Sequence, residues 1–134
     1  VIDGYYIATV TPSNIYKSKL NNAYYEIRFT RPFVNAPGGI AGGNRNLIQF
    51  GTWGYYGLIY TSHFGALTPE ETYRLDKKID NGIANTGKFY GVDGYNVAAS
   101  PGSCSYSRDL VTGSATYNMT NTNNVCVFMY AIEF

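Results

Sequence analysis

Thr68-Pro69-Glu70-Glu71-Thr72-Tyr73-Arg74-Leu75-Asp76-Lys77-Lys78-Ile79-Asp80-Asn81-Gly82 is the stretch on which the fold turns. Thr68 is an N-cap residue, Pro69 suits the first helical position, and Glu71 stands three residues after the cap. That is the pattern of a capping box, in which cap and glutamate satisfy each other's free backbone donors. Glu70 and Glu71 come early and Lys77 and Lys78 late, which suits the helix dipole. Gly82 after Asn81 is a natural stop. The spacing predicts one helix over about 69–81, with Leu75 and Ile79, four residues apart, on its inner face.

Outward from that helix the chain reads as strands. Ala23, Tyr25, Ile27 and Phe29 alternate with Tyr24, Glu26 and Arg28, the period of a half-buried strand. Residues 46–53 read as a second strand and 125–134 as the last one. The run from Tyr55 to Ser62 is apolar and aromatic and fits strand or helix. Residues 1–12 read as a short extended segment stopped by Pro12, and 15–22 as polar and irregular. Glycine-rich connections are expected over 35–46 and 82–103. Residues 114–120 are expected to pair with the last strand across the turn Asn121-Thr122-Asn123-Asn124. The fold class is therefore α+β, an antiparallel sheet with one short helix, in a single domain spanning 1–134. No internal repeat is present.

Composition narrows the function. Charged residues are only 14% of the chain, against roughly 25% in soluble domains. Asn, Ser, Thr, Gly and 14 tyrosines supply the polarity instead, a balance common in exported surface proteins. The net charge is +1 and the ten basic residues are scattered, so no nucleic-acid partner is expected. No apolar run is long enough to span a bilayer, so no membrane partner is expected for this stretch of chain. The chain begins with Val1 and reads as a processed or excised piece. Two cysteines, Cys104 and Cys126, favour a disulfide and an oxidising compartment. Such a bond is worth about 3 kcal/mol in the chain-entropy model.

Chemistry is sparse. The one histidine, His63, has Ser62 beside it but no nucleophile motif around it, so it reads as a surface or packing residue. One histidine and two bonded cysteines make no zinc site. Asp76 and Asp80, one turn apart, and Asp93-Gly94 do not form a calcium-loop pattern; they read as a solvated helix face and a turn. Helix carboxylates are better explained by capping and by nearby lysines than by a glycosidase pair. Asn118-Met119-Thr120 matches the acceptor sequon, a frequent chance match. No enzyme activity, metal or cofactor is expected. Trp53, Tyr55, Tyr56 and Tyr60 form an aromatic stretch, interrupted by Gly54 and Gly57, that is a candidate glycan or partner contact as well as candidate core.

The segment from Leu67 to Lys88 resembles a motif of Gram-negative type IV pilin-like proteins, in which a Thr-Pro-Glu-Glu helix runs into an Ile-Asp-x-Lys-x-Asp-Asp-Gly-x-Pro-x-x-Gly-Lys sequence. Asn46-Leu-Ile-Gln-Phe-Gly51 is similar to the strand before that helix. Ser18-Lys19-Leu20 with Ala23-Tyr24 is similar to the entry into the first head strand. Cys104 and Cys126 occupy the place of the pilin disulfide region. The likeness covers roughly 15–130, with Asn81 standing for the usual Asp and Ala84 or a neighbour for the Pro. The resemblance implies a pilin, minor pilin or pseudopilin head, lacking the N-terminal apolar helix that anchors such subunits. It implies self-assembly with other pilin-like subunits into an extracellular filament or secretion pseudopilus, at the cell surface or, before assembly, in the periplasm. The disulfide would rigidify an exposed edge of the head, and loss of the apolar helix would leave an apolar groove. The alternative is a secreted or surface adhesin or lectin-like module that contacts a host or surface glycan or protein, with a role in cell adhesion.

Overall fold

A computed structural model of the protein describes residues 16–30, 45–56, 59–94, 103–105 and 115–132. In chain order the elements are β1 (Tyr16–Lys17), β2 (Ala23–Thr30), β3 (Arg45–Tyr56), β4 (Ile59–Phe64), α1 (Pro69–Ile79), β5 (Phe89–Asp93) and β6 (Cys126–Ile132). The strands form one antiparallel sheet in the order β1-β2-β3-β6-β5, and β4 pairs with the later part of β3. The class is α+β, as the sequence pattern predicts. The expected segment 1–12 lies outside the described residues.

The alternation in β2 is that of a strand, but its first neighbour was not expected. Within 15–22, residues Tyr16 and Lys17 pair with Tyr25 and Tyr24 instead of remaining irregular. The reversal is made by Asn21 and Asn22, with φ of 48° and 51°, a left-handed conformation that asparagine tolerates better than most residues. Asn21 Nδ2 then donates to the carbonyl of Ala66 at 2.8 Å and ties this turn to the approach to α1. The aromatic run after Trp53 is strand: Tyr55 pairs with Tyr60 and Tyr56 with Ile59 in the β3–β4 register.

Each sheet face carries its own core. On one, Leu47 of β3, Val127, Met129 and Ala131 of β6, and Tyr90 and Val92 of β5 form a buried cluster, and Gln49 is sealed among these positions. On the other, rings form a row across the strands. Tyr25 and Phe50 lie 5.0 Å apart, Phe50 and Phe128 4.8 Å, and Phe128 and Phe89 5.0 Å. Register places these rings together, because Tyr25 pairs with Phe50 and Phe50 with Phe128. Aromatic pairs of this kind add about 0.5–1.5 kcal/mol beyond the area they bury.

The helix covers the β5–β6 end of this second face. Its capping box is complete: Glu71 N–H donates to Thr68 Oγ1 at 3.2 Å, and Thr68 N–H to Glu71 Oε2 at 2.9 Å. It stops at Ile79, two residues short of 81, with Asp80 as C-cap and Gly82 beyond it at φ 78°. The expected inner face is corrected. Ile79 is 53% exposed and Leu75 only partly buried, whereas Pro69, Thr72 and Asp76 face inward. The buried stripe is polar because its groups find partners: Thr72 Oγ1 donates to the Thr68 carbonyl at 2.9 Å.

The expected hairpin between 114–120 and the last strand does not form. The last strand pairs instead with β3 and β5. Tyr117 makes an isolated bridge to Ser105, and Asn118 N–H donates to the Cys104 carbonyl at 2.8 Å. The segment is held down on the helix side of the sheet by polar contacts, described next.

Candidate functional site

The densest set of polar contacts lies where the C-terminal half of α1 meets the disulfide segment. Asp76 is completely buried. Its Oδ2 accepts from the Tyr117 hydroxyl at 2.7 Å and its Oδ1 from Gly82 N–H at 3.0 Å. Burial pushes the Asp76 carboxyl above the usual range, and the hydrogen bonds from Tyr117, Gly82 and Asn81 offset part of that rise. The Tyr117 hydroxyl is likewise pushed up, first by burial and then by the carboxylate beside it. The ring of Tyr73 meets that of Tyr117 edge-on at 5.9 Å, and Lys77 Nζ lies 5.7 Å from the Tyr73 centroid.

Two further aspartates do similar work. Asp80 Oδ2 accepts from the backbone N–H of Lys88 and of Phe89, the latter at 3.1 Å, and so fastens the start of β5 to the helix end. A Cβ at Gly87 would lie 1.9 Å from that same oxygen, so the turn requires glycine there. Asp93 Oδ1 accepts from Cys104 N–H at 2.6 Å. All three carboxylates, read from the sequence as a solvated face and a turn, brace backbone donors in loops. Among the described residues no group of His, Cys, Asp and Glu is placed to hold a metal ion.

Cys104 and Cys126 are bonded, with their Cα atoms 5.1 Å apart. Both are fully buried in the cluster under α1, so the bond staples the core and not an exposed edge. Cys126 opens β6 and exchanges backbone hydrogen bonds with Leu67, which places the staple directly beneath the helix entry. The bond points to an oxidising, non-cytoplasmic compartment.

Of the aromatic stretch, Trp53 is half-buried at the bulge of β3 and packs on Tyr24, ring centroids 6.0 Å apart. Tyr55, Tyr56 and Tyr60 lie on the β3–β4 hairpin; their side chains, like those of Ser62 and His63, lie outside the described residues. Ile79 of α1 and Met119 aside, the exposed large apolar residues among those described sit at the other end of the sheet: Tyr16, Leu20, Tyr25 at 40% and Ile27 at 77%. Among the described residues they form a strip along β1, the turn after it and β2, beside the buried Phe50. Sequence reasoning missed Asp76 and Tyr117 as partners 41 residues apart. The available signal was an aspartate at the helical position facing the core.

Comparison with family models, with curated proteins and with solved structures returned no match. Among the described residues no helix is long and apolar enough to cross a membrane.

Proposed function

We propose that this chain is the head of a pilin-like structural subunit, built to assemble into an extracellular filament or secretion pseudopilus rather than to catalyse a reaction. The observation that carries the reading is the segment from Leu67 to Lys88. It holds the most specific likeness to pilin-like sequences, and it is also the keystone of the head. Its capped helix lies on the sheet, and its aspartates hold the following turn and the disulfide segment. A second support is the exposed strip of Tyr16, Leu20, Tyr25 and Ile27. In this reading it is apolar surface on which the upstream apolar helix of such a subunit lies. The carboxylates near the helix are engaged with backbone donors and a tyrosine, the arrangement of a scaffold.

The test is to shear surface filaments from cells that make the protein, wash them, and search them by mass spectrometry for the peptide spanning Thr68 to Lys88. The expected result is recovery of this peptide in the assembled fraction, with Cys104 and Cys126 bonded. Recovery only as free monomer, with filaments lacking the peptide, would overturn the proposal and shift the reading to a surface binding module.

A further inference from the structure

Asn81-Gly82 is the single Asn-Gly dipeptide of the chain, and it sits in an unusual setting. Asn81 is exposed at the end of α1, while the amide of Gly82 points back into the buried carboxylate of Asp76. Hydrogen bonds converge on the dipeptide, the Asn81 backbone N–H to Asp76 among them. Gly82 N–H donates to Asp76 Oδ1 at 3.0 Å. Ile83 N–H donates to Asn81 Oδ1 at 2.8 Å. Asn81 Nδ2 donates to Thr86 Oγ1 at 2.8 Å.

We propose that Asn81 is a self-modifying site, converted through a cyclic imide into an aspartyl or isoaspartyl residue. In that reaction the Gly82 nitrogen attacks Asn81 Cγ and a five-membered ring closes as the N–Cγ bond forms. The Gly82 amide proton has to leave, and Asp76 Oδ1 already accepts a hydrogen bond from that N–H. Negative charge gathers on Asn81 Oδ1, where the Ile83 N–H stabilises it in the manner of an oxyanion donor. The Cγ–Nδ2 bond then breaks and Nδ2 leaves as ammonia. The proton it needs comes from solvent, while Thr86 Oγ1, which accepts from Nδ2, holds the carboxamide in place; Asp76 returns its own proton to solvent. Water, which reaches this exposed position, opens the imide at either carbonyl. The net change is one amide and one water to one carboxylate and one ammonium, with no redox step.

The geometry gives the Gly82 amide proton and the charge on Asn81 Oδ1 each a named partner within hydrogen-bond reach, the first requirement for general acid–base assistance. Burial of Asp76 raises its basicity and so supports the same role. Gly82, at φ 78°, has no side chain to shield its nitrogen. The product has structural consequences. A carboxylate at 81 adds negative charge at the helix C-terminus, beside Asp76 and Asp80. The isoaspartyl form adds a methylene to the main chain of a turn that Asp80 holds against Lys88 and Phe89. The modification therefore loosens the helix-to-β5 connection as the protein ages.

The experiment incubates the purified, disulfide-bonded protein near neutral pH. The amide-to-acid mass gain at Asn81 is followed over time, alongside a synthetic peptide covering residues 76–90. Assistance by the fold predicts conversion about ten-fold or more faster in the protein than in the peptide, the low end for acid–base catalysis falling near a hundred-fold. It also predicts that Asp76→Asn and Thr86→Val each slow conversion in the folded protein. A protein rate equal to or below that of the peptide overturns the proposal, and needs no variant to fold. So does an Asp76→Asn protein that converts as fast as the parent or faster, because Asp76 would then be a shield for the amide and not a base.

Discussion

The two ends of the sheet invert the ordinary rule of burial. At the β5 end a carboxylate, Asp76, is sealed from water on the inner face of the helix. At the β2 end Ile27 is 77% exposed on the same antiparallel sheet. The difference lies in what each group can find. Asp76 has a tyrosine hydroxyl and backbone N–H groups aimed at it, so hydrogen bonds to its charged form offset part of the desolvation. Ile27 has cross-strand neighbours on β3 but no described element lying over it. Among the described residues the polar end is covered and the apolar end is exposed. The proposed function assigns these ends the roles of scaffold and contact surface.

That contrast can be broken at its polar end first. Asp76→Ala leaves the Tyr117 hydroxyl and the Gly82 N–H buried without an acceptor, and should cost about 3–4 kcal/mol in urea unfolding. Asp76→Asn keeps an acceptor for Gly82 and should cost only about 1 kcal/mol. A cost for Asn equal to that for Ala would show that charge, and not hydrogen bonding, holds this end. The same residue sets a pH dependence. Its folded-state carboxyl is raised above 3.8, so the folded state binds this proton more tightly than the unfolded chain does. Stability from this group is full below pH 3.8 and declines as pH rises through the raised folded value. Asp76→Asn should abolish that slope in paired unfolding curves at acidic and neutral pH.

Next in size is Gly91→Ala on β5. A Cβ there would lie 2.4 Å from Tyr117 Cε1 and 2.6 Å from its hydroxyl oxygen, against the hydroxyl end of the ring. The ring must move off Asp76, for a loss of about 2 kcal/mol. A second change, Tyr117→Phe, should add little to it, because both act on one bond. The smallest effect is expected at the open end. Ile27→Ser should change monomer stability by no more than about 0.5 kcal/mol, while lowering the yield of assembled material. A loss of several kcal/mol there would mean that β2 is already covered in the monomer.

How far the sequence carries this picture differs along the chain. The helix and its cap were readable because Thr68, Pro69 and Glu71 act within one turn, and local chemistry decides them. The strand through Ala23 to Phe29 and the 46–53 part of β3 were readable from alternation and apolar content, whereas the aromatic run from Tyr55 fitted strand and helix equally. The inner face of α1 was not, since Leu75 and Ile79 offered the apolar pair while the fold chose Thr72 and Asp76. That choice depends on Tyr117, which sequence separation hides. Residues 115–120 failed as a hairpin for the same reason: their partners lie on Cys104, Asn85 and Asp76, not on the following strand. The role of Asp76, Asp80 and Asp93 as loop braces was invisible because an aspartate in a turn looks alike whether it faces solvent or a backbone N–H.

Whether the native polypeptide carries an apolar segment ahead of the described residues is the point to measure. N-terminal sequencing and intact mass of the protein taken from its own cells would decide it. A pilin-like subunit predicts an apolar stretch of about 20–25 residues, long enough to span a membrane, ahead of the residues described. A native chain that begins at Val1, recovered as such from assembled and free fractions alike, would contradict the account and leave a surface binding module as the reading.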